Sequence, residues 1–147
     1  MPAYTHEWLC AEIVGAAQDA VIVADRDGVI RLWNSGAEAM FGYRADEAVG
    51  QTLDLIIPER LRGRHWAGYR QAMTTAATRY AGQVLAVPAT KKDGSSISVE
   101  FTIALLREPA GTLLGPAAIV RDVTARWEHE RALKKRLAAL ETKTPED

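Results

Sequence analysis

Apolar and polar positions alternate along this chain with two different periods, and the changes of period mark out its elements. Over residues 8–17, Trp8, Leu9, Ile13, Val14 and Ala17 recur at helical spacing, which predicts a short amphipathic helix leading into the body of the protein. Residues 21–24 and 29–33 are β-branched runs parted by Asp25-Arg26-Asp27-Gly28. An Asp-Gly step supplies the positive φ that a tight turn needs, so the two runs predict a β-hairpin. Ser35-Gly36-Ala37-Glu38 has the pattern of a capping box, with Ser35 serving the backbone N–H three residues on and Glu38 reaching back. A short helix is expected from there to about residue 41, stopped at Gly42-Tyr43. Another helical turn follows over 46–50, and then an apolar link over 53–57 that ends at Pro58.

Helix formers dominate from 59 to about 75, where Leu61, His65, Gly68, Tyr69 and Ala72 share one face. Period two then takes over. Residues 83–89 predict a strand, Lys91-Lys92-Asp93-Gly94 a turn, and 97–106 a second strand with Val99, Phe101, Ile103 and Leu105 on its core face. After a turn at Pro109-Ala110-Gly111, residues 113–120 predict a last strand. Pro116 has no N–H to give to a ladder, which suggests an edge or a bulge there. Two strands, short helices, a longer helix and three strands amount to an α+β fold: a five-stranded antiparallel sheet covered on one face by the helical segment.

From Thr124 the chain turns to Arg, Glu, Lys, Ala and Leu. Leu133, Leu137 and Leu140 fall at 4,3 spacing, a narrow seam of about two heptads that suits pairing with a copy of itself; the alternative is a helix folded back on its own domain. Residues 142–147 are expected to fray. The boundaries expected are therefore an N-terminal flanking helix over 1–17, a domain over 18–124, and a C-terminal helix and tail over 125–147.

Composition narrows the partners. With 147 residues, 48% of them hydrophobic and 25% charged, the chain has material for one ordinary domain with a real core. Its 18 basic and 19 acidic residues give a net charge of -1, so no long-range field draws it to nucleic acid or to a membrane surface. Neither a leader pattern nor an apolar stretch of bilayer length is present, and a cytoplasmic location is expected. The single cysteine, Cys10, can form no internal disulfide, and three scattered histidines make no zinc ligand set. A nucleophile with its base and orienter, or a Gly-rich phosphate loop, is not recognisable, so no enzyme is expected.

Particular residues in order then narrow the fold. The run from Ile30 through Trp33-Asn34-Ser35-Gly36 and Phe41-Gly42-Tyr43, followed by Glu47 and Gly50, closely resembles the N-terminal core of PAS domains. Lys92-Asp93-Gly94 and the closing Arg121-Asp122-Val123-Thr124 resemble that family's later landmarks, the hairpin turn and the junction into the exit helix. The resemblance runs from about residue 14 to 124. It implies a sensory and signalling module that senses a small ligand or a partner in a core pocket and passes the change through Asp122 and Thr124 to the helix that follows. It also implies a homodimer, to which Trp8, Trp127, Leu133, Leu137 and Leu140 would contribute, and an effector such as a kinase. A constitutive protein–protein interaction module with no ligand is the rival.

The run Pro58-Glu59-Arg60-Leu61-Arg62-Gly63-Arg64-His65 resembles, more narrowly, the segment of haem-containing PAS oxygen sensors in which a histidine seven residues after the proline ligates iron. That resemblance implies His65 as axial ligand and Arg64 or Arg70 as partners of the haem propionates, with Phe101 and Ile103 lying over the haem. One departure stands out: where those sensors carry an arginine that holds oxygen, this chain aligns Leu85. Tyr69 and Tyr80 could add hydroxyls to the pocket or simply pack. Flavin photochemistry of the covalent-adduct kind needs a cysteine in the core helix, and Cys10 is far upstream; a non-covalently held flavin stays open behind haem. Trp66, one residue on from His65, is expected at a boundary or facing a partner, and His6 and His129 facing solvent.

Overall fold

A computed structural model of the chain describes residues 3–78 and 80–142. The hairpin at the Asp-Gly step forms as β1 (Ala20–Ala24) and β2 (Ile30–Trp33), preceded by α1 (His6–Ala16). Two short helices follow, α2 (Ser35–Phe41) and α3 (Ala45–Ala48), then a 3-10 turn at Leu53–Leu55 and the long α4 (Glu59–Thr75). The remainder is β3 (Leu85–Thr90), β4 (Ser96–Arg107), β5 (Leu113–Asp122) and the exit helix α5 (Thr124–Thr142). Of the tail expected over 142–147, Thr142 closes α5 and the rest lies outside the described residues.

All five strands join one antiparallel sheet in the order β2-β1-β5-β4-β3. The register places Ile22 beside Trp33, Ala20 beside Val120, Phe101 beside Val120 and Ala89 beside Ile97, so the apolar members of each strand gather on one face. Against them pack Ala37 and Phe41 of α2 and Ala48 of α3, with Phe41 and Ile30 fully enclosed. Burying a side chain the size of Phe41 contributes about 1.5–3 kcal/mol. Trp33 joins the layers: its ring meets Phe41 at 5.5 Å and its Nε1 donates to the Tyr43 carbonyl at 3.0 Å. Gly42 ends α2 with φ 86, a left-handed turn that a side chain would resist. The expected α+β fold, with its five-stranded sheet and flanking helices, is the one observed.

One local expectation is corrected and two open alternatives are decided. The cap of α2 is Asn34, whose Oδ1 accepts from Ala37 N at 2.9 Å, while the Ser35 hydroxyl donates to the Gly15 carbonyl and Glu38 accepts from Ala45 N. Asn34 wins because, set one residue earlier and buried, it can bond β1 and the end of α1 as well. Of the edge or bulge expected near Pro116, the structure has the irregularity: Pro116 lies in the central strand, where pairing with β1 reaches only Ala117 and the ladder to β4 shifts between Leu106 and Arg107. Finally, α5 does not lay its leucines on the domain: Leu133, Leu137 and Leu140 are 49%, 58% and 66% exposed. No helix among the described residues is long and apolar enough to cross a membrane.

Candidate sensory site

Pro58 fixes the entry to α4, and the first turns of the helix are tied to the preceding segment. Arg62 donates from Nε to the Ile57 carbonyl at 3.1 Å and from its terminal nitrogen to the Asp54 carbonyl at 3.2 Å. The Asp54 carboxylate accepts from Trp66 Nε1 at 2.7 Å. Further along, the Tyr69 hydroxyl donates to the Asp25 carbonyl in the β1–β2 turn, and Tyr69, Met73 and Leu113 form a second apolar cluster with Leu53, Trp66 and Leu105 around it. The helix is thus fastened over the open end of the sheet.

His65 sits within this fastening, half-buried, its ring 4.7 Å from Trp66 and 5.6 Å from Tyr69. Its Nδ1 is the one buried side-chain nitrogen or oxygen among the described residues without a hydrogen-bond partner. Burial lowers its pKa, with the Asp54 charge opposing more weakly, so the imidazole is neutral at pH 7. A neutral imidazole carries a lone pair for a metal or for a donor, and a buried polar atom left unpaired calls for an explanation. Burial raises the pKa of Tyr69, aided by the charges of Asp25 and Asp27, so its hydroxyl remains a donor.

Of the residues singled out in the sequence, the fold brings His65 and Tyr69 together and sets Leu85 beside Phe101 across the β3–β4 ladder, with Phe101 packed on the core. Ile103 lies two residues on along the same inner face, and Tyr80 is half-buried in the segment between α4 and β3. Arg64 and Arg70 are exposed on α4. Trp66, expected at a boundary or facing a partner, is half-buried at the boundary and packs against Gly28 and Asp54. Asp54 escaped notice, and Arg62 and Asp25 entered only as members of the Pro58 run and the Asp-Gly turn, with no sign that they meet α4 or its entry.

At the far side of the sheet the strand-to-helix junction is closely bonded. Ser98 of β4 donates its N–H to Thr124 Oγ1 at 2.9 Å and accepts from Val123 N at 2.9 Å. Asp122 Oδ1 in turn accepts from Thr124 N at 2.9 Å and from its hydroxyl at 2.6 Å. Asp122 therefore caps the start of α5 through Thr124, and Thr124 ties that start to β4. Arg126 of α5 pairs with Glu100 of β4, and Arg121 with Asp19 at 3.1 Å. Trp8 and Trp127 remain half-exposed, stacked on Tyr4 and covered by Arg131 respectively.

Comparison with known proteins matches residues 14–128 to the family described as PAS fold. Sensor protein FixL of Bradyrhizobium diazoefficiens is 30% identical over 134 residues, 89% of this chain and 26% of that protein. Oxygen sensor protein DosP of Escherichia coli is 29% identical over 122 residues, 83% of this chain and 15% of that protein. Among solved structures, a sensory box histidine kinase/response regulator from Burkholderia thailandensis superposes with a TM-score of 0.63 at 17% identity, covering 90% of this chain and 98% of that one, a likeness of fold. The chain spans only about a quarter or less of the two curated relatives.

Proposed function

Because this chain belongs to the PAS fold family, we propose that it is the sensory input of a signalling protein, detecting a small ligand beneath α4 and reporting it through the Asp122–Thr124 junction. The observation that carries this is the buried, unpartnered Nδ1 of His65 beside an otherwise apolar cluster, a polar atom that a ligand would engage. Output would pass along α5 as a homodimer joined through the terminal helices, where Trp8, Trp127, Leu133 and Leu137 are exposed. An effector of the histidine-kinase kind accords with the structural relative from Burkholderia thailandensis, a sensory box histidine kinase by name. The domain itself is proposed to be non-catalytic.

Haem is the ligand class favoured by a specific observation. His65 falls seven residues after Pro58, its neutral ring has a nitrogen without a partner, and one relative is an oxygen sensor by name. In this reading His65 would hold the iron, Phe101, Ile103 and Leu85 would supply apolar walls, and the exposed Arg64 and Arg70 would meet the propionates. When bound, haem supplies an iron that takes a diatomic gas. With Leu85 lacking any donor, the gas side would favour carbon monoxide or nitric oxide over oxygen.

The test is the visible absorption spectrum of protein produced with ample haem and desalted, beside His65→Ala. A strong Soret band that weakens or shifts in the variant supports a haem sensor ligated by His65. A featureless spectrum removes haem and leaves a colourless ligand, while a screen that finds no ligand returns the constitutive interaction module.

A further inference from the structure

One half of α4 is accounted for by the contacts beneath it, through Arg62, Trp66, Tyr69 and Met73. The other half, which carries Arg60, Gly63, Arg64, Ala67, Gly68 and Arg70, is exposed. We infer that this outward face is a docking surface for an acidic helix of a partner protein.

Charge on the face has one sign. Glu59, the first residue, is the only acidic residue of α4, and neither Arg60, Arg64 nor Arg70 has an ion pair or a side-chain hydrogen bond among the described residues. Arg60 and Arg64 stand four residues apart on the helix, where like charges repel. Arg60 also lies in the first turn, where the helix dipole disfavours a cation. A solvent-facing helix ordinarily sets acids against bases at this spacing. Here the guanidinium groups are left to find carboxylates outside the chain, which their planar forks can take two bonds at a time.

Gly63 and Gly68 weaken the helix on the same side. Both lie in its interior, where glycine is less favourable than alanine, yet a Cβ built on either would meet nothing within 4 Å. No contact inside the chain requires them. With Ala67 they leave the backbone of α4 bare between residues 63 and 68, so a second helix can lie close along it. Helix stability given up on a face that packs against nothing of its own chain is the mark of a surface kept for a function.

Other anionic partners fit this face less well. It presents no ring on which a nucleic-acid base could stack, since Trp66 packs on Gly28 and Tyr69 is buried, and no large apolar side chain that could enter a membrane. Glutamates four residues apart on a partner helix match Arg60 and Arg64. Docking here goes beyond the ligand reading and does not depend on it. Haem propionates would occupy Arg64 and Arg70, so the two are kept apart by testing protein free of haem.

The test titrates the full chain into a fluorescein-labelled, alanine-based helical peptide with glutamates four residues apart along one face, followed by anisotropy at about 0.1 M salt. Saturable binding that weakens about 10-fold or more in Arg60→Glu/Arg64→Glu, and as much in Gly63→Leu/Ala67→Leu, supports the proposal. The leucine variant keeps every charge and favours helix, so its loss reports close approach and not unfolding. Gly63→Ala should raise the urea midpoint. No binding by the parent chain, or binding unmoved by either double variant, overturns the proposal. Equal binding to polyuridylate or to phosphatidylglycerol vesicles also overturns it, by showing a face that takes any polyanion.

Discussion

The far edge of the Trp66 indole lies against Gly28: a Cβ built on that glycine would stand 2.1 Å from Cη2 and 2.3 Å from Cζ3. Gly28 also has φ 80, which a side chain resists, and its carbonyl accepts from Leu53 N at 3.0 Å. Neither partner can move freely, because Trp66 is held by Asp54 and Gly28 by the hairpin turn. Gly28→Ala should therefore lower stability by about 2–4 kcal/mol, combining backbone strain with displacement of the ring. Urea denaturation measures it. A loss below about 1 kcal/mol would show that α4 does not bear on this turn.

Asn34 joins three elements through one buried amide. Its Oδ1 accepts from Val21 N at 2.8 Å and from Ala37 N at 2.9 Å, while Nδ2 donates to the carbonyls of Val14 at 2.7 Å and Asp19 at 3.1 Å. Asn34→Asp keeps the shape and the acceptor but turns the donor into a charged oxygen facing carbonyls. A cost of about 3 kcal/mol or more is expected in denaturant unfolding at neutral pH, well above that of a surface substitution. An Asn34→Asp protein as stable as the parent would mean that the end of α1 is not held by this side chain.

Asn34 also shows what was legible beforehand. Strands and turns were readable because their signals are local: the β-branched runs on either side of Asp27-Gly28, the alternation from Val99 to Leu105, the glycine after Phe41. Capping by Ser35 was wrong because its pattern is local and the winning bonds are not; Asn34 answers to residues 13 and 20 positions away. Pro116 left edge and bulge both open for the same reason, since a strand's place in a sheet depends on which partners extend past it. His65 was singled out by its distance from Pro58, yet its surroundings were not legible. Asp54, Gly28 and Asp25 reach the site from two other segments, and a helical wheel centred on His65 turned the exposed Gly68 inward.

Asp25 gives the fold a dependence on acid. Burial pushes its carboxyl pKa up, but bonds from Val29 N, Arg31 and Asp27 N together outweigh this and hold it below the ordinary value. A folded pKa below the unfolded one means that the stabilisation is present above the ordinary carboxylate range and fades as the pH falls through the folded value. Asp25→Asn, which still accepts from the turn, should be less stable than the parent at neutral pH and converge toward it near pH ~3. Urea midpoints at the two pH values measure this, and a constant difference between them would remove Asp25 from the acid response.

The last prediction concerns output. Thr124 stands between Ser98 and Asp122, accepting from one and donating to the other, so Thr124→Val keeps the side chain's shape while removing both bonds. The Val123 N–H to the Ser98 carbonyl remains, which should keep the sheet intact and confine the loss to about 1–2 kcal/mol, the cost of an unpaired Ser98 N–H. Hydrogen exchange in the first turn of α5, followed at Trp127 N, should then rise about 5-fold or more while exchange at Phe101 and Val120 stays as in the parent. If α5 is read out by its anchorage, loosening this turn without touching His65 should uncouple input from output: a ligand would still bind beneath α4, and the exchange difference it causes in α5 would shrink. An unchanged ligand-induced difference in Thr124→Val would instead place transmission elsewhere, with the Val123 N–H to Ser98 carbonyl bond and the ion pair from Arg126 to Glu100 as the remaining links between sheet and exit helix.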